Sequence, residues 1–442
     1  MQKSTRLLLV IAAVITLVRV PSTRADVKPG ETLDKSNWQN AKDLLPEEIL
    51  KHYREGEYVN PIGEWPADKY NWPPDFLAGS KANEGKFSIG PEGGIIDKST
   101  GKQPPFIIGH PFPTIDASDP QAAVKAVWNF FYRTWYFGNS QNDSQVNWVG
   151  ARALERRSDQ NVSFMYYDGL PEDERPPSNP ENFLSRFLAI TMGPADLNGT
   201  SALSYRYRDP GKRDSSWAYV PALRRVRAVS PANRSDGFLG SDMSQDDGPF
   251  FDGKPEDFDW KMNGKVEALR LADSLNLQGK SSDQWVEGKG WNPMWPDTPF
   301  IGYMDPEWRG SAWAPRGPAV LVKRQFWVVE GTPRDKYYLY GKLQLYIDAV
   351  SYQGAWNRKF SWKGELMNTL QVMAWNPLPA TRPNGKVDYN QGSNMAFQVA
   401  ENIKMNRATV AGVKSSPTAG FYGRFKFDPG FFDVDALARH GK

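Results

Sequence analysis

Val320-Leu-Val-Lys-Arg-Gln-Phe-Trp-Val-Val329 carries the pattern from which the fold can be read. Lys323 and Gln325 fall on the face opposite Val322, Phe326 and Val328. Alternation at period two marks a strand with one face buried. Leu343, Leu345 and Ile347 repeat it against Lys342, Gln344 and Asp348. Working outward, the period recurs upstream in 145–154, 162–167, 183–192, 202–208, 217–220, 224–229 and 265–271. The stretch 319–329 contains the opening segment, and 343–347, 358–362, 370–375 and 396–403 follow it. Turn signals separate most of these runs, as in an antiparallel meander.

One helix stands against this background, over 120–137. Asp119 suits an N-cap and Pro120 the first helical position. Val124, Val127, Trp128, Phe131 and Trp135 recur at helical spacing, and Gly138 stops the run. A stripe holding two Trp and a Phe needs a broad partner. The expected class is therefore mainly β with α (α+β): a large curved antiparallel sheet, or open half-barrel, wrapped around the long helix. A sheet curled around a helix often encloses a ligand cavity.

Residues 1–25 read as a secretory signal peptide. Lys3 and Arg6 precede an apolar run from Leu7 to Val18, and Thr23 and Ala25 form a small-residue cleavage site. The run is shorter than the roughly 20 residues a spanning helix needs. Residues 26–115 form a Pro-, Gly- and Trp-rich arm with short helical patterns at 40–45 and 46–53. Residues 116–442 form the curved-sheet domain. Two connections in it, 230–261 and 278–317, are too long for ordinary turns; such loops are usually lids or disordered, and the second reads first as packing folded back over the sheet, then as a lid, then as a sugar platform. The second holds Trp285, Trp291, Trp295, Trp308 and Trp313, a density unlike disorder.

Composition narrows the chemistry. The 442 residues include 17 Trp and no Cys. Disulfides, thiolate metal sites, cysteine nucleophiles and lipidated cysteine anchors are therefore excluded. Three widely separated His argue against a His-rich metal site, and no metal or cofactor is expected. With 54 basic and 51 acidic residues, no nucleic-acid footprint is expected. Motifs for serine hydrolases, zinc proteases and phosphate loops are absent, so no catalytic residue is assigned.

Several stretches carry a family resemblance: Gly109-His-Pro-Phe-Pro113, Asp119-Pro120 with Trp128-Asn-Phe130, and the long Ser216-Trp-Ala-Tyr-Val-Pro-Ala-Leu-Arg-Arg-Val-Arg227. Asn233-Arg-Ser-Asp236, Phe238-Leu-Gly-Ser-Asp242, Lys323 to Val329 and Leu345-Tyr-Ile-Asp348 add to it. Over roughly 85–440 the chain resembles the exported bacterial family called domain of unknown function 1329, and more remotely the periplasmic lipoprotein carriers LolA and LolB. The resemblance implies a LolA-like half-barrel closed by helices around an apolar cavity, in the Gram-negative periplasm. It also implies work alongside an envelope transporter or outer-membrane barrel protein that handles hydrophobic compounds.

The expected function is a soluble, non-enzymatic carrier for a hydrophobic small molecule or lipid. Candidate cavity-wall residues are Trp128, Phe131, Tyr205, Tyr207, Trp217, Tyr219, Phe326 and Val328. Arg224, Arg225 and Arg227 either sit at the cavity rim, holding an anionic headgroup, or pair with Asp236, Asp242, Asp246 or Asp247 to pin the 230–261 loop. Calcium binding by the Asp-rich 241–248 segment is less well matched, because the spacing lacks the alternating ligands of a calcium loop. Two other readings stand beside the carrier. One is a polysaccharide-binding or glycan-cleaving protein using Trp291 and Trp295. The other is an assembly factor without cargo, docking through the arm.

Overall fold

The computed structural model describes residues 26–66, 72–278, 283–293, 300–373, 375, 378–389, 397–414 and 420–441. The signal-peptide reading of 1–25, Ala396 and Trp295 lie outside the described residues.

In chain order, β1 (Thr32–Leu33) pairs with β2 (Asn60–Pro61), with α1 (Glu47–Glu55) between them. Next come α2 (Pro74–Ala82) and the hairpin of β3 (Phe87–Ile89) and β4 (Ile95–Asp97). The long helix α3 (Ala122–Tyr136) follows. Six strands then form an antiparallel meander: β5 (Ser140–Gly150), β6 (Leu154–Tyr166), β7 (Phe183–Gly193), β8 (Ser201–Tyr207), β9 (Ser215–Val220) and β10 (Arg225–Val229). Beyond a long connection lie β11 (Phe258–Asp273), the short α4 (Ser274–Leu277) and the hairpin β12 (Asp283–Val286) and β13 (Gly290–Pro293). A second meander runs through β14 (Ala319–Pro333), β15 (Lys342–Asp348), β16 (Gly354–Phe360) and β17 (Leu366–Met373). The last elements are the hairpin β18 (Pro379–Thr381) and β19 (Val387–Tyr389), then β20 (Phe397–Asn402), β21 (Arg407–Lys414), β22 (Phe421–Gly423) and α5 (Val434–His440).

Among the described residues, one antiparallel sheet takes sixteen of these strands. Its order is β10-β9-β8-β7-β6-β5-β21-β20-β17-β16-β15-β14-β11, with β12, β13 and β22 attached beside β5. The two meanders meet where β21 pairs with β5. α3 contacts β11, β14 and β15. It also reaches β6, where Trp135 lies 6.3 Å from Tyr166, centroid to centroid. In a flat sheet β6 and β11 would stand about 40 Å apart. A helix only about 22 Å long can touch both because the sheet bends around it.

Several expectations are corrected. The run 145–154 is two strands, because Gly150 N–H donates to Ala153 O and turns the chain between β5 and β6. α3 begins at Ala122, two residues late: the Asp119 carboxylate accepts from Gln121 N and its carbonyl from Ala122 N, closing a turn ahead of the helix. The helix is buried nearly all round, including Asn129 and Arg133, and does not show a single stripe. Its second face meets residues 107–112. The Asn129 side chain donates to Phe112 O at 2.7 Å and accepts from Phe112 N at 3.0 Å, pairing like a strand neighbour.

Residues 26–66 share one core with the sheet. Leu33, Ile49, Leu50, Tyr53 and Ile62 pack with Leu269, Leu321, Phe326 and Trp356. The Trp-rich connection joins the same core through Trp313, which is 1% exposed. Trp291 is 2% exposed, and its indole N–H donates to the Asp388 carboxylate at 2.7 Å.

Candidate functional site: an uncharged cavity

The cavity floor follows from strand register. On β5, alternate positions Ser140, Asn142, Ser144 and Val146 point one way. Opposite them on β6 stand Phe164, Val162 and Gln160, paired with Ser140, Asn142 and Ser144. Phe164 and Val162 pair onward with Phe187 and Ala189 of β7, and Ala189 with Ala202 of β8. On the other side Val146 pairs with Ala411 of β21. These cross-strand neighbours are the floor of a cavity of about 170 Å³. Thr134, Phe137 and Gly138, at the C-terminal end of α3, close one end.

The roof is the 230–261 connection, which contributes Phe238, Ser241, Met243, Ser244, Gln245, Gly248 and Pro249. It is folded as short 3-10 turns at Pro231–Ser235, Phe238–Gly240, Gln245–Asp247 and Pro255–Asp257. Phe250 and Phe251 anchor it in the α3 core, and charges tie down the rest. Arg234 donates to Asp246 at 2.7 Å, Asp252 at 2.8 Å and Ser204 at 2.9 Å. Arg206 of β8 pairs with Asp214 at 2.7 Å and with Asp252 at 3.1 Å. Burial works against the Asp214 carboxylate, but Arg206 and Arg234 outweigh it and hold its pKa below the usual range. At Asp252 burial prevails over the same two arginines, and its pKa is raised. Asp242 accepts from Arg407 at 2.9 Å and Asn402 at 2.7 Å. Asp247 caps Ser244 N at 2.7 Å and pairs with Lys359 at 2.5 Å. The Asp-rich segment is thus spent on protein partners. Among the described residues no cluster of three metal-ligating side chains occurs.

The lining is chemically quiet. Among the described lining residues there is no Asp, Glu, Lys, Arg or His. Burial pushes the Tyr166 hydroxyl well above its ordinary range, so it stays neutral. Several amides are already engaged: Gln245 donates to Ser204 at 2.6 Å, Gln160 to Ser158 at 2.6 Å and Gln398 to Asp247 O at 2.8 Å. The cavity therefore offers apolar contact and very little directional chemistry.

None of the eight aromatic or aliphatic residues expected in the wall lines this cavity. Trp128 and Phe131 are brought together inside the α3 core, where Trp128 donates to Gly93 O at 3.0 Å. Tyr205, Tyr207, Trp217 and Tyr219 are gathered on the opposite face of β8 and β9, against Phe432 and Leu437 of the C-terminal segment. The Tyr205 hydroxyl donates to Phe432 O at 2.6 Å. Phe326 belongs to the core shared with residues 26–66, and Val328 is buried on the same face of β14. The pairing expected for Arg224, Arg225 and Arg227 is also corrected. All three are exposed, as is Asp236, and none of them ion-pairs with a described residue. They lie in or beside the edge strand β10, with no opposing strand to bring a carboxylate close. Of the carboxylates expected to pin the loop, Asp242, Asp246 and Asp247 do so, but their partners are Arg407, Arg234 and Lys359.

The residues missed are of two kinds, aromatics such as Phe164 and Phe187 and small or polar neighbours such as Ala189, Ala202 and Ser144. Val162, Phe164, Phe187, Ala189 and Ala202 fall within expected strands, whereas the alternation that marks Ser140, Asn142 and Ser144 is cut off by the expected strand start at 145.

An uncharacterized protein of Pseudomonas aeruginosa is 28% identical over 185 residues, 39% of this chain and 37% of that protein. The chain thus spans little more than a third of that relative's length. Among solved structures, a putative outer membrane lipoprotein-sorting protein domain from Vibrio parahaemolyticus aligns at TM-score 0.45 and 15% identity, covering 73% of this chain and 100% of that one. A DUF1329 family protein from Desulfovibrio piger aligns at 0.44 and 14%, with the same coverage. A LolA superfamily protein from Nitrosomonas europaea aligns at 0.37 and 10%, covering 69% and 96%. The family model described as "Protein of unknown function (DUF1329)" matches residues 32–296, more than half of the chain, and the chain belongs to that family.

Proposed function

We propose that this protein is a non-enzymatic carrier or handling protein for a hydrophobic ligand, acting in the periplasm beside an envelope transporter or outer-membrane barrel. The observation that carries the reading is the cavity of about 170 Å³, roofed by a pinned loop and without a charged side chain among its described lining residues. A site of this kind works by partition. Apolar surface leaves water with a gain of about 25 cal/mol per Å², and no directional group is required. Enzymes converge pKa-shifted groups on a pocket, and among its described lining residues this one has a neutral Tyr and uncharged amides and hydroxyls. The polysaccharide alternative has weaker support, since Trp291 has its indole turned inward to Asp388.

Displacement of a fluorescent fatty acid tests the reading. The unsubstituted protein should bind the probe, and Ala202→Trp, which fills the floor, should weaken binding by about tenfold or more while keeping the melting transition. No binding by the unsubstituted protein, or equal binding by the variant, would count against it.

A further inference from the structure

The cavity floor does not stop at the cavity. Cross-strand register carries one row of residues through Val162, Ala189, Ala202, Ala218 and Arg227, from β6 to β10. Directly paired residues share a face, so Ala218 and Arg227 stand on the same side of the sheet as the lining residue Ala202. Burial falls along the row: Ala189 is buried, Ala202 and Ala218 are half-buried, and Arg227 is exposed. The neighbouring pair on this face is Val220 and Arg225, both exposed. The other face of β9 and β10 is covered by α5. The row is thus an apolar strip, open at the sheet edge, ending on two guanidinium groups that ion-pair with no described residue. From β7 to β10 it spans about 14 Å, the length of a twelve-carbon chain.

Resting on the carrier reading above, we propose that the ligand is an anionic amphiphile: its chain lies along the Ala218–Ala202–Ala189 row into the cavity, and its carboxylate or phosphate is held at the edge by Arg225 and Arg227. Arginine suits either head, because its planar fork matches both oxyanions. Charge complementarity selects this occupant over a neutral lipid: a headgroup without negative charge would leave both guanidiniums unpartnered.

Calorimetric titration with dodecanoate, dodecyl phosphate and methyl dodecanoate tests this, using the full chain and the Arg225→Gln/Arg227→Gln variant. Both substitutions are on exposed positions, so folding should be unaffected. The expected result is that an anionic ligand binds about tenfold more tightly than the ester, that salt narrows the gap, and that the variant abolishes it while still binding the ester. Whichever anion binds more tightly names the head. Equal affinity for anions and ester, or an anion preference that survives in the variant, would overturn the proposal and leave the carrier reading standing. Failure of all three ligands to bind would overturn both.

Discussion

His52 on α1 sits between two carboxylates, Glu57 at 2.6 Å and Glu401 of β20 at 2.8 Å. Burial alone would lower its pKa, but hydrogen bonds and charge from Glu401 and Glu57 outweigh it and raise the value to about 9. The folded pKa lies above the unfolded one, so the imidazolium stabilises the fold fully below about pH 6.5 and progressively less up to about pH 9. The span corresponds to roughly 3 kcal/mol. Urea unfolding at pH 6.5 and 9 should show that loss, and His52→Gln should flatten the pH dependence. An equal slope in the variant would assign it elsewhere. Arg234 makes a second residue-scale prediction. Its loss leaves Asp246 without a guanidinium and Asp252 with Arg206 alone, so Arg234→Ala should cost about 3–5 kcal/mol in urea unfolding, with Arg234→Lys costing less. At this scale the sequence is least legible. Large aromatics are the natural choice for a ligand wall, but close packing consumes large apolar side chains first. The aromatics that do reach the cavity, Phe137, Phe164, Phe187 and Phe421, are not the expected ones, and small neighbours such as Ala189 and Ala202 leave the space between them.

At the scale of elements much more is readable. Strands β7, β8 and β9, from Phe183 to Val220, lie within a residue or two of their expected limits, because turns bracket each run. β21 escapes the reading although Ala408 and Val410 are fully buried; its neighbours Thr409 and Ala411 give no polar contrast to complete the alternation. The N-terminal segment changes the design of one experiment. An arm that merely wraps the body would tolerate deletion of residues 26–80. That deletion would instead take Tyr53, Leu50 and Ile49 out of a core that also holds Trp356 and Leu269. Large-to-small changes of single core residues already cost about 2–5 kcal/mol, so the deletion should unfold the protein. A cooperative melt in the truncated chain would contradict this.

For the whole molecule, a bent sheet, a helix buried against it and a pinned loop together surround the cavity. The fold class is legible because period two and period 3.6 are separable in the sequence. The cavity is not, because it depends on which strand neighbours which: β5 meets β21 with Gly150 opposite Arg407, far apart in the chain. A ligand that binds the folded state alone raises stability by mass action, about 2.7 kcal/mol at a hundredfold excess over Kd, so bound cargo should shift the melting transition upward. Among the described residues no helix is long and apolar enough to cross a membrane. The most direct test of the central claim is native mass spectrometry of the protein purified from a bacterial periplasm. The account predicts a recurrent apolar adduct, released on denaturation and absent after Ala202→Trp. Repeated recovery of the bare protein, together with no displacement of a fluorescent fatty acid, would contradict it.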